Sequence, residues 1–168
     1  MGDKAAGNKP AHFAQNNFMA NFEKTDDILK DMCGIIESSR EAAYRAVNTA
    51  LVQRNWLIGY RIAEEEIKGA DRAEYGAGVI AKLAKELTTE YGRGFTKSNL
   101  YSFYAFYKAY SQIFQTVSGK SPALLSWSHY ATLLQVNDQS ARAWYEKEAV
   151  EQTWSVRTLQ RNISSQYY

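Results

Sequence analysis

The chain has 168 residues and a mass of 19.1 kDa, which suits one ordinary domain or two small helical ones. Its 45% hydrophobic and 23% charged content provides for a buried core and excludes wholesale disorder. A net charge of +2 does not by itself call for nucleic acid. The single cysteine, Cys33, excludes an internal disulfide framework and a Cys-rich zinc site, so the expected setting is reducing and cytoplasmic.

Two prolines, Pro10 and Pro122, and a scarcity of alternating β-branched runs predict an all-α chain. No apolar stretch reaches the roughly 18–20 residues that cross a bilayer. Residues 1 to 35 read as a loose tail and lead-in, with Phe13, Phe18 and Phe22 as docking points, and 36–168 as a helical domain. From an N-cap at Ser38 or Ser39 the helical pattern runs to Lys68, with Val47, Leu51, Ile58 and Ile62 on one stripe and Gly69 at its end. A second helix spans Asp71 to Tyr91 with Val79, Leu83 and Leu87 at i, i+4 and i+8, closed by Gly92 and Gly94.

Thr96 is the N-cap of a third helix, expected to reach Gln115, whose core stripe is Leu100, Phe103, Tyr107 and Tyr110. Ser121 and Pro122 read as the N-cap and first residue of a fourth, carrying Leu124, Trp127, Leu133 and Leu134. Asn137-Asp138 begins a fifth that ends near Thr153, and Ser155 caps the last. The expectation is therefore about six helices, including a helix-turn-helix-like unit.

Catalytic candidates fail on partnership. His12 and His129 are the only histidines and have no Cys or carboxylate at metal-ligand spacing; His129 reads as a hydrogen-bonded structural residue. Cys33 has no activating base and reads as a buried thiol. Glu66-Ile67-Lys68 spells half of a nuclease metal site, but it ends a helix and lacks the second carboxylate, so a solvated face is expected. Gly76 to Ala81 matches a dinucleotide loop in letters only, because no strand precedes it. No catalytic residue, metal site or cofactor is expected.

Charge segregation is more informative. Tyr91 through Asn137 contains no Asp or Glu but holds Arg93, Lys97, Lys108 and Lys120; Gln152 to the end is also acid-free and holds Arg157 and Arg161. That suits a surface facing a polyanion. At 100° per residue, Lys97, Tyr101, Tyr104 and Lys108 form one stripe, roughly 100° from the core stripe. Thr96, Lys97, Ser98 and Asn99 open the helix that follows a Gly-containing turn, the place where a helix-turn-helix protein meets base edges. The plainer alternative is two packed helices with a wet Tyr/Lys face.

Several runs resemble a known family: NWLIGYRIAEEE from Asn55, AEYGAGVIAKLAKELTTEYGRGFTKSNLYSFYAFYKAY from Ala73, LLSWSHYATLLQVND from Leu124, ARAWYEKEAV from Ala141 and WSVRTLQRNI from Trp154. Together they are similar to the N-terminal domain of YhcG-type bacterial proteins, over about Ile35 to Tyr168. In that family the domain precedes a PD-(D/E)XK nuclease domain, which would begin where this chain stops. The resemblance thus implies a non-catalytic module normally fused to a nuclease. The segment from Trp127 to Ile163 also looks like the helical stretch that follows the helix-turn-helix in ParB-type partition proteins.

The expected function is a DNA-targeting module. Thr96, Lys97, Ser98, Asn99, Tyr101 and Tyr104 would approach the groove of double-stranded DNA, while Arg93, Lys108, Arg157 and Arg161 meet phosphates. The alternative is a helical dimerisation or partner-docking domain with no direct DNA contact. A homodimer is compatible with both, since helix-turn-helix proteins act as dimers on paired half-sites.

Overall fold

The computed structural model describes residues 22–68, 73–114 and 125–168, leaving aside the side chains of 66–77. Every regular element among them is helical: α1 (Ile28–Lys68), α2 (Ala73–Tyr91), a 3-10 turn (Arg93–Phe95), α3 (Lys97–Ala109), α4 (Trp127–Leu133), α5 (Gln139–Glu151) and α6 (Val156–Ser164). The all-α expectation holds. Phe13, Phe18, His12, Gly69, Lys120, Leu124 and the Ser121-Pro122 cap lie outside the described residues.

The chain divides into two compact units, one ending at Ala46 and one covering Val47–Tyr168. In the first, α1 starts eleven or twelve residues earlier than the Ser38/Ser39 signal predicts. The signal is outcompeted by a better one upstream. Asp27 Oδ1 accepts from the Leu29 and Lys30 amides at 3.0 and 3.1 Å, and the Asp31 carboxylate accepts from the Thr25 amide and hydroxyl at 3.1 and 2.7 Å. Asp27 thus satisfies two orphan donors of the first turn, and Asp31 ties the preceding Thr25 back onto it. Cys33 is exposed, not buried, because its stretch of α1 buries almost nothing.

In the second unit the buried face of α1 runs through Val52, Asn55, Trp56, Gly59, Ile62 and Ala63. It is rotated by roughly a quarter turn from the predicted Val47/Leu51/Ile58/Ile62 stripe. Gly59 explains the rotation. A Cβ there would lie 2.1 Å from the Phe103 carbonyl oxygen and 2.9 Å from Tyr107 Cβ, so the helix turns its one gap toward α3 and the backbones touch. Trp56 Nε1 donates to the Tyr110 carbonyl at 3.0 Å and fixes the end of α3 on the same face. There the chain leaves α-helix at Ala109, short of the predicted Gln115.

Two hydrophobic clusters result. One gathers Ile62, Ile80, Ala84, Leu100 and Phe103 from α1, α2 and α3. The other gathers Val52, Trp56, Phe106, Tyr130, Leu133, Ala141, Tyr145, Ala149 and Leu159. Asp138 and Ser155 cap α5 and α6 as predicted, accepting from the Ala141 and Thr158 amides at 2.6 and 3.1 Å. Both helices end in Schellman motifs without glycine. Thr153 (φ 48°) and Gln166 (φ 52°) take the left-handed position, and the Trp154 and Tyr167 amides reach back to the Ala149 and Asn162 carbonyls at 3.0 and 3.1 Å.

Candidate nucleic-acid interface

α2 and α3 pack against each other across a five-residue connection. Gly92 ends α2 at φ 91°, its amide bonded to the Thr88 carbonyl at 3.0 Å, a left-handed position that a side chain would strain. After the Arg93–Phe95 turn, Thr96 takes extended backbone and its hydroxyl accepts from the Asn99 amide at 3.4 Å. The predicted N-cap of α3 is in place.

Leu100, Phe103 and Phe106 are fully buried and anchor α3. On the other side Arg93, Lys97, Ser98, Tyr101 and Lys108 are exposed, Tyr101 at 40%. Tyr104 is half-buried under Lys108, whose Nζ stands 5.9 Å from the ring centroid. Thr96 and Asn99 are half-buried.

The Asn99 side chain is engaged locally. Its Nδ2 donates to the Gly94 and Arg93 carbonyls at 3.1 and 3.4 Å. The amide therefore holds the turn that aims α3. Sequence reading found Asn99 by its position on the helix but not this task, because the acceptors depend on how the Gly-Arg-Gly turn closes.

A further cation was invisible in the sequence. Arg54 comes from α1, far along the chain, yet its guanidinium lies 5.1 Å from the Phe95 ring centroid beside the turn. It also donates to the Oδ1 of Asn55, which is 1% exposed, at 2.8 and 3.0 Å. Arg157 and Arg161 sit exposed on α6. α6 packs on α4 and α5, and α4 packs on α3, so α4 touches both basic helices.

Of the other candidates, His129 is structural, while His12 and the side chains of Glu66-Ile67-Lys68 lie outside the described residues. His129 places Nδ1 2.7 Å from the Ser126 hydroxyl and Nε2 2.9 Å from the Trp154 carbonyl. A carbonyl only accepts, so Nε2 carries the proton and Nδ1 accepts from Ser126. This leaves neither nitrogen for a metal. Glu64 and Glu65 are paired with Arg61, and Glu64 Oε1 accepts from Tyr60 at 2.5 Å. Gly76 and Gly78 lie inside α2, where no phosphate loop exists. No cluster of three or more His, Cys, Asp or Glu is placed to hold a metal among the described residues. None of the described helices is long and apolar enough to cross a membrane.

Glu146 on α5 is a half-buried acid beside the second cluster. Burial raises its pKa above the usual carboxylate range, against the opposing pull of the Tyr110 and Tyr130 hydroxyls and Arg142. Both phenols are in turn pushed up, first by burial and then by the Glu146 charge. The buried Tyr110 hydroxyl has no well-formed hydrogen bond among the described residues.

The chain is 35% identical over 161 residues to an Escherichia coli K12 protein described as "Putative nuclease YhcG", a match covering 80% of this chain and 43% of that protein. It thus spans less than half the length of the relative. No solved structure matches it. Residues 31–168 match the DUF1016 N-terminal domain, and the chain belongs to that family.

Proposed function

We propose that this chain is a DNA-binding module, without catalytic groups of its own, that directs a nuclease to duplex DNA. The observation that carries the reading is the exposed first turn of α3. Lys97, Ser98 and Tyr101 stand clear of the core on a capped helix within the acid-free stretch Tyr91–Asn137. In this reading Lys97, Ser98 and Tyr101 enter the groove, with Tyr104 and Thr96 behind them. Arg93, Lys108, Arg157 and Arg161 meet phosphates, and Asn99 keeps the turn closed. The amides of the α3 first turn add a partial positive charge suited to a phosphate. The nuclease association rests on the relative's description and on the family.

The test is a mobility shift with duplex DNA at about 50 mM salt, where phosphate contacts contribute most. The expected result is a salt-sensitive shift that weakens at least tenfold in the Arg93→Glu/Lys97→Glu variant, with helicity unchanged. Losing the Arg93 phosphate contact also lowers the salt slope by about 1. No shift at micromolar protein, or one indifferent to this double reversal, overturns the reading.

One observation favours a protein-docking role instead. An open groove of about 830 Å³ is lined by Leu57, Ile58, Val79, Leu83, Leu87 and Leu100, an apolar concavity of the kind that accepts a helix face. A complex that forms equally well with and without DNA supports that alternative.

A further inference from the structure

The part of α1 in the first unit carries its own recognition pattern. Among residues 28–46 only Asp31 and Ala42 are even half-buried. The exposed residues include Ile28 (71%), Leu29 (69%), Met32 (53%) and Ile36 (50%). On a helical projection, Ile28, Leu29, Met32, Ile35, Ile36, Ser39, Ala42, Ala43 and Ala46 occupy one arc of about 140°, and no charged residue falls within it. Lys30, Asp31, Glu37, Arg40, Glu41 and Arg45 all lie outside the arc. Glu37–Arg40 and Glu41–Arg45 pair along the helix at 2.9 and 3.6 Å.

The spacing of Ile28, Met32, Ile35, Ser39, Ala42 and Ala46 is four, three, four, three, four. That is the alternation of a coiled-coil seam. Leu29, Ile36 and Ala43 flank it at the same heptad position. In proteins most helical stability comes from covering an amphipathic face.

Residue size names the occupant. The seam is bulky at its start (Ile28, Met32, Ile35) and small at its end (Ser39, Ala42, Ala46). Two parallel copies would set bulk against bulk and leave the small half underfilled. Two antiparallel copies centred on Glu37 set Ile28 against Ala46, Met32 against Ala42 and Ile35 against Ser39. Every layer then joins one large and one small residue, as knobs-into-holes packing needs. The same register brings Asp31 of one copy opposite Arg45 of the other, an attraction that parallel pairing does not make. We propose that residues 28–46 of α1 form an antiparallel two-helix seam with a second copy of this chain.

The seam does not depend on DNA binding, so a failed mobility shift leaves it untouched. Sedimentation equilibrium of the full chain at about 100 µM, where even weak specific pairing registers, is expected to show a dimer. Ile35→Glu should weaken it at least tenfold, while near-ultraviolet circular dichroism from the tryptophans of the second unit stays constant. For orientation, single thiols are placed on a Cys33→Ser background. Ser38→Cys lies next to its counterpart across the antiparallel two-fold and cross-links. Ile28→Cys lies at opposite ends, about 27 Å apart at 1.5 Å per residue, and does not. A monomer at this concentration overturns the proposal. So does a dimer that survives Ile35→Glu, which would place the contact elsewhere, such as the α1–α2 groove. Cross-linking through Ile28→Cys instead of Ser38→Cys overturns the antiparallel seam.

Discussion

The two hydrophobic clusters of the second unit are held together by different physics. The cluster around Leu100 and Phe103 is aliphatic and aromatic, and shape sets its geometry: α1 and α3 touch through Gly59. The cluster around Tyr130 and Tyr145 is threaded with polar groups. His129 joins α4 to the Trp154 carbonyl, the Tyr145 hydroxyl donates to the Asn162 carbonyl at 3.3 Å, and the half-buried Glu146 interacts with the Tyr110 and Tyr130 phenols. Close packing tolerates almost no change in volume, whereas a polar cluster responds to protonation and to the loss of single partners. The presented helix, α3, draws Leu100 and Phe103 from the first cluster and Phe106 from the second.

The sharpest way to break this contrast is Gly59→Ala. One methyl group placed 2.1 Å from the Phe103 carbonyl oxygen forces the helices apart. The expected loss is about 3 kcal/mol or more in urea unfolding. An equally placed methyl tolerated without loss would show that α1 and α3 do not meet there.

A milder probe reads the polar cluster through pH. Glu146 has a raised pKa in the fold, so its charged form is the disfavoured one. Its contribution to stability is largest below the ordinary carboxylate range and falls as pH rises through the raised value. Glu146→Gln keeps an acceptor for the phenols and should flatten that decline. Thermal melts from pH 4 to pH 8 compare the two slopes, and the first cluster, which holds no buried acid, should contribute none of it.

The smallest effect belongs to the rim of the second cluster. Thr153 is β-branched and sits at φ 48°. Thr153→Gly relieves the left-handed strain and should stabilise the protein by about 0.5–1 kcal/mol, seen as a higher melting temperature.

What was legible in the sequence was local. Thr96, Asp138 and Ser155 announce their helices because a cap acts within three residues of itself. Gly92 announces the end of α2 for the same reason. The outward stripe Lys97/Tyr101/Tyr104/Lys108 followed from helical period once the cap was placed; Lys97, Tyr101 and Lys108 are exposed, and Tyr104 is half-buried.

The illegible parts were of two kinds. Some were local signals in unfamiliar dress: Thr153 and Gln166 do the work expected of glycine, and Asp27 with Asp31 outbids the serines downstream. Others were matters of distance along the chain. The α1 face could not be oriented by hydropathy, because its centre is a glycine and a buried asparagine. Arg54 reaches the α3 turn from a different helix altogether.

The contact at Gly59 has a mechanical consequence. Where side chains interdigitate, a small push is absorbed by rotamer changes before the backbones feel it. At this crossing main chain lies on main chain, with no intervening side chain to yield. Force applied to the outer surface of α3 at this crossing is therefore passed directly to the turn of α1 around Gly59.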